Sequence, residues 1–366
     1  TVMREELKTV KMLSDQERDA IEQAVEQKIE KAMEFAMASP EPDSSEVFTD
    51  VFAPTRFTQT DYNKDKELRE NIQSGKIDRQ ITYAQALQEA MREEMLHDSR
   101  VFLLGEDIGL YGGAYGATRD LFKEFGTWRV LDTPISEATI GGAAVGAAMA
   151  GMRPVAEIMY VDFTPLIIDQ VANVGAKNRY MFGGKTSVPL VIRSEGGAGR
   201  AIAAHHSQSL ESLWTHFPGI HVAMPSTAYD AKGLLKAAIR DDNPVMFIEH
   251  KMLYKEKGPV PNEEYIIPFG VADIKRPGKD VTLVTYSRMV LRSLEAAANL
   301  EKDGLDVEVI DLRTLAPLDI DTIIESIKKT GRLVCVSEAY ENTSFINEIM
   351  VQINERAFDY LDTPMI

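Results

Sequence analysis

Residues 221–250 read HVAMPSTAYDAKGLLKAAIRDDNPVMFIEH. A short apolar run, HVAMPS, gives way to a helix-forming stretch, YDAKGLLKAAIR, and then to a second apolar run, PVMFIEH. Short, continuously apolar runs suit strands buried on both faces, and a helical connection between two of them suits a parallel pair. The same unit recurs upstream. VFLLGED, VLDTP, RPVAEIM and SVPLVIRSE are strand-like and alternate with helical segments, including FTPLIIDQVANVGAKNRY. This alternation predicts a parallel α/β sheet covered on both faces. ITYAQALQEAMREEMLHDS opens the domain with a capping box, Thr82 and Gln85.

The domain so defined covers residues 81–260. A polar, proline-containing stretch, KEKGPVPNEEYIIPFG, separates it from a second α/β unit, residues 270–366, in which DVTLVTYS, VEVIDLRTL and RLVCVSE alternate with helices. That unit stops at LDTPMI, where an apolar strand begins, so it is expected to be cut short. Residues 1–54 differ from the rest. Ser14 and Glu17 form a capping box, and Ile21, Ala24, Val25, Ile29, Ala32, Met33 and Ala36 then recur at helical spacing. PEPDSSEVFTDVFAPT ends that helix, and the whole segment reads as an arm that docks elsewhere. Residues 55–80, polar and of mixed charge, suit a linker or a short exposed helix.

A chain of 366 residues is long enough for two domains with their own cores. Forty basic against 57 acidic side chains leave a net charge of −17, which argues against nucleic acid and anionic membrane as partners, since both demand a basic face. The single cysteine, Cys335, lies in the apolar run LVCVSEA and excludes an intrachain disulfide and CxxC zinc chemistry. Ala138–Met152, the longest apolar stretch, is shorter than the ~20 residues a membrane helix needs. No signal peptide is visible, although the chain starts without Met, and a reducing cytoplasm or organelle matrix is the expected location.

Within DTPISEATIGGAAVGAAMAG, residues 132–151, Glu137 is the one acid ahead of an almost purely apolar run. It either sits solvated at the N-terminus of a helix, where the dipole favours its charge, or has a specific partner. Gly142, Gly146 and Gly151 suit close helix packing; a dinucleotide fingerprint is absent, because the first two glycines are adjacent. The loop GAGRAIAAHHSQS carries His205 and His206, a poor metal pair but natural proton carriers, and no G-x-S-x-G accompanies them. AIRDDNP, residues 238–244, ends a helix; its free carbonyls with Asp241 and Asn243 either ligate a cation or form a turn.

Taken together, DTPISE, VGAAMAGMRPVAEIM, GAGRAIAAHHSQSLES and YDAKGLLKAAIRDDNPV resemble the beta subunit of the thiamine-diphosphate-dependent component of 2-oxo acid dehydrogenase complexes, of the pyruvate and acetoin dehydrogenase type. The resemblance runs from about Ile81 to the end. Residues 1–54 resemble the C-terminal tail of the alpha subunit of the same component, so the chain looks like an incomplete alpha–beta fusion. The implied fold is transketolase-like: a parallel-sheet, pyrimidine-binding domain followed by a truncated C-terminal α/β domain.

The resemblance gives Glu137 a partner, a ring nitrogen of the cofactor's aminopyrimidine. That contact promotes the imino tautomer, which removes the thiazolium proton to give the nucleophilic ylid, and an apolar pocket would raise the carboxyl's pKa for the task. Phe163 is implied to pack on the pyrimidine, with Met159 and Ile135 near it. His206 is implied in proton transfer and in reductive acylation of a lipoyl group, and no role is implied for His205. Leu190, Ala238, Ile239, Asp241 and Asn243 match a potassium site. Magnesium and the diphosphate belong to a Gly-Asp-Gly motif of alpha that these residues lack, so little activity is expected without an alpha portion. Further implied partners are a lipoyl-bearing acyltransferase core and a second beta domain in a homodimer. The expected reaction is oxidative decarboxylation of a 2-oxo acid, with pyruvate first, followed by acyl transfer. Acetoin cleavage is the enzymatic alternative, and a non-catalytic dimerisation module, in which Glu137 only caps a helix, is the alternative of another class.

Overall fold

Two helices open the chain, α1 (Val2–Thr9) and α2 (Asp15–Ala38). The capping box at Ser14 is complete: Glu17 N–H donates to Ser14 Oγ at 3.2 Å, and Ser14 N–H donates to Glu17 Oε2 at 2.9 Å. No residue of α2 is buried, and Ile21, Val25, Ile29 and Met33 present their side chains to solvent along its length. A computed structural model describes residues 2–9 and 13–366, which divide into two units, Thr1–Phe48 and Thr49–Ile366.

The larger unit begins earlier than the composition suggests. Ala53 N–H donates to Asn243 Oδ1 at 2.6 Å, and Asn243 Nδ2 donates to Ala53 O at 3.3 Å, so a side-chain amide stands in for a strand partner. Phe52 stacks on His221 with centroids 4.6 Å apart. The end of the expected arm therefore docks on this same chain. Next, Thr58 and Asp61 form a capping box that starts α3 (Gln59–Gln73), a helix burying Asp65 and Leu68 rather than a bare linker.

The following elements are β1 (Gln80–Thr82), α4 (Tyr83–His97), β2 (Val101–Gly105), α5 (Leu121–Phe125), β3 (Val130–Asp132), α6 (Glu137–Met149), β4 (Arg153–Tyr160), α7 (Lys177–Met181), β5 (Val191–Gly196), α8 (Glu211–Thr215), β6 (His221–Ala223), α9 (Ala228–Arg240), β7 (Val245–His250) and β8 (Lys257–Pro259). The opening stretch is thus β6–α9–β7, with β6 and β7 parallel and His221 paired to Val245. Thr82 caps α4 as read, with Gln85 N–H on its hydroxyl at 3.1 Å. Every residue of β5 and β7 is buried, which explains why neither alternates in polarity. Their side chains still alternate in direction. Val191, Val245 and Phe247 enter a core shared with α4 and α9, whereas Ile192, Met246 and Ile248 enter one shared with α6.

After β8 come β9 (Asp273–Arg276), β10 (Val281–Thr285), α10 (Arg288–Lys302), β11 (Val307–Asp311), β12 (Thr314–Ala316), α11 (Ile320–Thr330), β13 (Leu333–Cys335) and α12 (Ile346–Ala357). A four-stranded sheet runs β13–β10–β11–β9, while β12 leaves it and joins the larger sheet antiparallel to β6, giving the order β12–β6–β7–β5–β4–β2–β3. The final LDTPMI does extend as read: Ile366 N–H bonds Leu333 O at 3.2 Å and Cys335 N–H bonds Ile366 O at 2.7 Å.

A buried ion cluster joins β12's domain to the larger sheet. Arg313 is fully buried; it donates to Asp230 of α9 at 2.8 Å and to Asp65 of α3 at 3.0 Å. Lys275 adds pairs to Asp230 and Asp273, both at 2.8 Å. Small residues matter at one place in the Gly/Ala helix, and it is Gly141: a Cβ there would stand 2.8 Å from Ile167 Cγ2. Gly142 and Gly146, read as packing residues, have room to spare.

Candidate active site

The carboxyl ends of parallel strands are where α/β sheets bind ligands, and the residues read from the sequence gather there. Glu137 is the first residue of α6, immediately after the loop that leaves β3, and it is half-buried. Its carboxylate makes no hydrogen bond or ion pair to any described residue. The N-terminus of α6 does favour its charge, but the hydroxyl of Ser136, the N-cap, caps no backbone amide and bonds the Thr139 hydroxyl at 2.8 Å. Glu106, after β2, is the nearest titrating neighbour of consequence. Burial raises its pKa first, and the charges of Glu137, Asp107 and Glu157 raise it further. Glu106 Oε1 is buried without a partner. The enclosing apolar pocket expected around Glu137 is not closed by this chain, because Ile135 is 82% exposed.

The aromatic and histidine calls of the sequence converge. Tyr160, at the end of β4, and Phe163, in the tight turn that follows, both meet the His206 ring edge-on, with centroids 4.5 and 5.5 Å away. His206 Nδ1 is buried and unpartnered, so a ring nitrogen is left for a proton donor or acceptor. Its backbone is fixed from two sides: Lys251 Nζ donates to His206 O, and Asp162 Oδ1 accepts from Ser207 N–H and Gln208 N–H at 3.3 Å each. His205 packs at 4.7 Å from His206 and makes no comparable anchor. Met159 lines a small cavity with Glu157, Glu195 and Tyr115.

Three groups here escaped the sequence reading. Arg193 of β5 bonds Glu249 through Nε at 2.6 Å and Glu157 at 2.8 Å; burial opposes its charge, and these two acids more than restore it. Glu195, one residue before the end of β5, is 3% exposed with neither carboxylate oxygen hydrogen-bonded. Burial pushes its pKa up to about 8 against the pull of Tyr115, Lys251 and Arg200. Lys251, just past β7, is itself buried, and its pKa is lowered by that burial. Beside them a cleft of about 720 Å³ is lined by Tyr111, Tyr115, Arg119, Arg200, Lys251 and Lys255. Glu195 and Lys251 lie at or just beyond the carboxyl end of a strand the sequence did predict, which is the signal that would have found them; Arg193 lies inside β5 and carries no such signal.

The residues matched to a potassium site lie near one another, and two of their carbonyls, those of Ile239 and Asp241, accept from a buried guanidinium. Arg153 Nη1, from β4, donates to Ile239 O at 2.9 Å and to Asp241 O at 2.8 Å. Leu190 O accepts from Val245 N–H, Ala238 O from Asp241 N–H, and Asp241 Oδ1 from Asn243, while Asn243 itself holds Ala53. No cluster of three or more His, Cys, Asp or Glu side chains suited to a metal occurs among the described residues. No helix among them is long and apolar enough to cross a membrane.

At the carboxyl edge of a parallel sheet the chain thus brings together a lone carboxylate, an aromatic cluster and a histidine with an unpartnered ring nitrogen, and a second α/β domain follows. Two family profiles match accordingly: transketolase, pyrimidine binding domain, over residues 79–257, and transketolase, C-terminal domain, over residues 270–366. The chain is 50% identical over 293 residues to the beta subunit of acetoin:2,6-dichlorophenolindophenol oxidoreductase of Cupriavidus necator, covering 77% of this chain and 86% of that one. It is 47% identical over 286 residues to the 2-oxoisovalerate dehydrogenase subunit beta of Bacillus subtilis, covering 78% and 88%. Against the pyruvate dehydrogenase E1 component subunit beta of Rhizobium meliloti it is 49% identical over 287 residues, 78% of this chain but only 62% of that longer one. The chain belongs to this family of beta subunits of thiamine-diphosphate-dependent dehydrogenase components. A split-gene transketolase, an inactive beta4 tetramer, shares the fold at a TM-score of 0.64 and 22% identity, over 78% of this chain and 88% of that one.

Proposed function

We propose that this chain is the beta part of a component that oxidatively decarboxylates a 2-oxo acid, pyruvate first, and passes the acyl group to a lipoyl carrier. The observation that carries the reading is Glu137: a half-buried carboxylate at the carboxyl edge of the sheet, with no partner among the described residues. Such a group is poorly placed for stability and well placed for a ligand.

The residues present fit the pyrimidine end of thiamine diphosphate. Glu137 offers a carboxylate to a ring nitrogen, and Phe163 and Met159 offer half-buried apolar surface. When bound, the cofactor supplies the electron sink for cleavage next to a carbonyl. Glu137 then holds or releases a proton at that ring nitrogen, beside Glu106, whose pKa is raised by burial first and then by the charge of Glu137. His206 is held edge-on by Tyr160 and Phe163 with Nδ1 free, an arrangement suited to proton transfer at the reacting carbonyl and at the acyl acceptor. Ile135, exposed here, would complete the wall once an alpha portion covers it.

The same reading includes that alpha portion, with magnesium bound by it, a lipoyl-bearing acyltransferase core, and pairing of two beta domains. Potassium at Leu190, Ala238, Ile239, Asp241 and Asn243 is a separable part; it relies on the second lone pairs of carbonyls already bonded to Arg153 or to backbone amides. The test is release of carbon dioxide from pyruvate and from a branched 2-oxo acid, and cleavage of acetoin, with and without the alpha partner. Turnover of pyruvate only in the presence of the partner is the expected result. Acetoin cleavage without 2-oxo acid turnover would select the alternative, and full turnover by this chain alone would refute the reading.

A further inference from the structure

The loop that carries His206 runs from residue 197 to residue 209 and is held from outside its own domain. Gly197 N–H bonds Gln208 O at 2.9 Å and closes its neck. One residue later, Ala198 N–H donates to Glu338 Oε1 at 3.0 Å, and Arg288 Nη1 donates to Ala198 O at 3.2 Å. The N–H and the C=O of one residue, in two successive peptides, are thus both taken by side chains of the C-terminal domain. Glu338 Oε2 is in turn 2.7 Å from His250 Nε2, and Met252 N–H donates to His250 Nδ1 at 3.1 Å. An amide on Nδ1 leaves the proton on Nε2, so His250 is fixed as a donor to Glu338. Glu338 is nearly always ionised in this setting: burial opposes the charge, but the His250 bond, the Ala198 amide and Arg288 together lower its pKa.

The loop needs such restraint. Ala201 and Ala203 adopt φ of 56° and 68°, a region that costs a side-chain-bearing residue. Gly197 and Gly199, with φ of +82° and +114°, are the flanking hinges, and side chains at them would strike His250 and Arg288 respectively. The hinges are therefore packed directly under the two residues that serve Glu338.

We propose that Glu338, Arg288 and His250 form a latch by which the C-terminal domain positions the His206 loop for the reaction. They are positioning residues: none of them reaches the Tyr160–Phe163–His206 cluster, and they act through the Ala198 backbone. The catalytic part of this inference rests on the reading of His206 given above; the latch itself does not.

The experiment is hydrogen exchange of the full chain, read at residues 198–207, with turnover of the assembled enzyme measured in parallel. Glu338→Ala should speed exchange of these amides about fivefold or more, with β10 and α11 unchanged. Arg288→Ala, which removes the bond to Ala198 O and the 3.7 Å ion pair to Glu338 but leaves the Glu338–Ala198 bond, should loosen the same amides and covers the case in which Glu338→Ala fails to fold. Glu338→Gln should not rescue, because its amide nitrogen would meet the His250 donor. In turnover, kcat should fall with KM for the 2-oxo acid unchanged. Unchanged exchange in both alanine variants would overturn the latch. Loosened exchange with wild-type kcat would support the latch and overturn its catalytic role, and with it the reading of His206.

Discussion

Replacing Glu195 by Gln should stabilise this protein, and the gain should depend on pH in a defined way. Glu195 is 3% exposed, has no hydrogen-bond partner on either oxygen, and titrates at about 8 in the folded chain against an ordinary 4.5. A raised carboxyl pKa means that between these values the folded chain keeps a proton the unfolded chain has lost. Stability is then fully present below about pH 4.5 and falls as pH rises toward 8, by about 1.4 kcal/mol per pH unit at most. Integrated over that window the ceiling is about 5 kcal/mol, and relaxation with water entry brings the working figure to roughly 2–5 kcal/mol. At about 2 °C per kcal/mol for a unit of this size, that is roughly 4–10 °C in Tm. Gln has the same shape and no titration. The difference Tm(E195Q) minus Tm(wild type), followed by calorimetry from pH 4.5 to 9, should start near zero, climb through pH 5–8 and level off. A difference that stays constant across that range would refute the assignment of Glu195 as a buried, unpaired acid.

Three further outcomes follow from the geometry. Arg313→Met takes the buried guanidinium from Asp65 and Asp230, leaving them only Arg69 and Lys275, and should lower stability by about 3–5 kcal/mol; a fall in Tm under about 2 °C would contradict it. Asn243→Ala removes both bonds to Ala53 and should release residues 50–55 to exchange in buffers with or without potassium; release seen only without potassium would contradict the direct amide pairing. Gly197→Ala should cost clearly more than Gly304→Ala at a similar positive φ, since the first Cβ would lie 2.0 Å from His250 Nε2 and the second meets nothing within 4 Å. Equal melting temperatures would contradict that packing.

The fold was legible wherever a strand is buried on both faces. VFLLG, VIRSEG and VMFIEH are short and almost wholly buried because two cores flank them, and polar residues they carry, such as Arg193 and Glu249, pair with one another there. Residues 55–80 misled for the converse reason. The anchors of α3 are Asp65 and Arg69, whose partners Arg313 and Asp273 lie more than 200 positions away, so a stretch that looks solvated is pinned by charge. The Gly/Ala run misled more finely, since composition cannot show which glycine meets Ile167. At the site, Glu137 and His206 were found through motifs, whereas Glu195 and Lys251 looked like ordinary surface charges in sequence. Only the sheet, by bringing the strand ends together, makes them neighbours. Asn243 forms the turn with Asp241 that the sequence offered, and the bonds it also makes to Ala53 of the incoming segment were not legible there.

The central claim is that Glu137 exists to engage a cofactor ring rather than to cap α6. The most direct measurement is the exchange rate of the thiazolium proton of thiamine diphosphate, followed by quenched-flow NMR in the assembled enzyme, for wild type and Glu137→Gln. The rate should be at least about a hundredfold slower in the variant, with stability changed by no more than the ~0.5–1 kcal/mol of a lost helix-terminal charge. An exchange rate equal to wild type, in a folded and assembled variant, would contradict it.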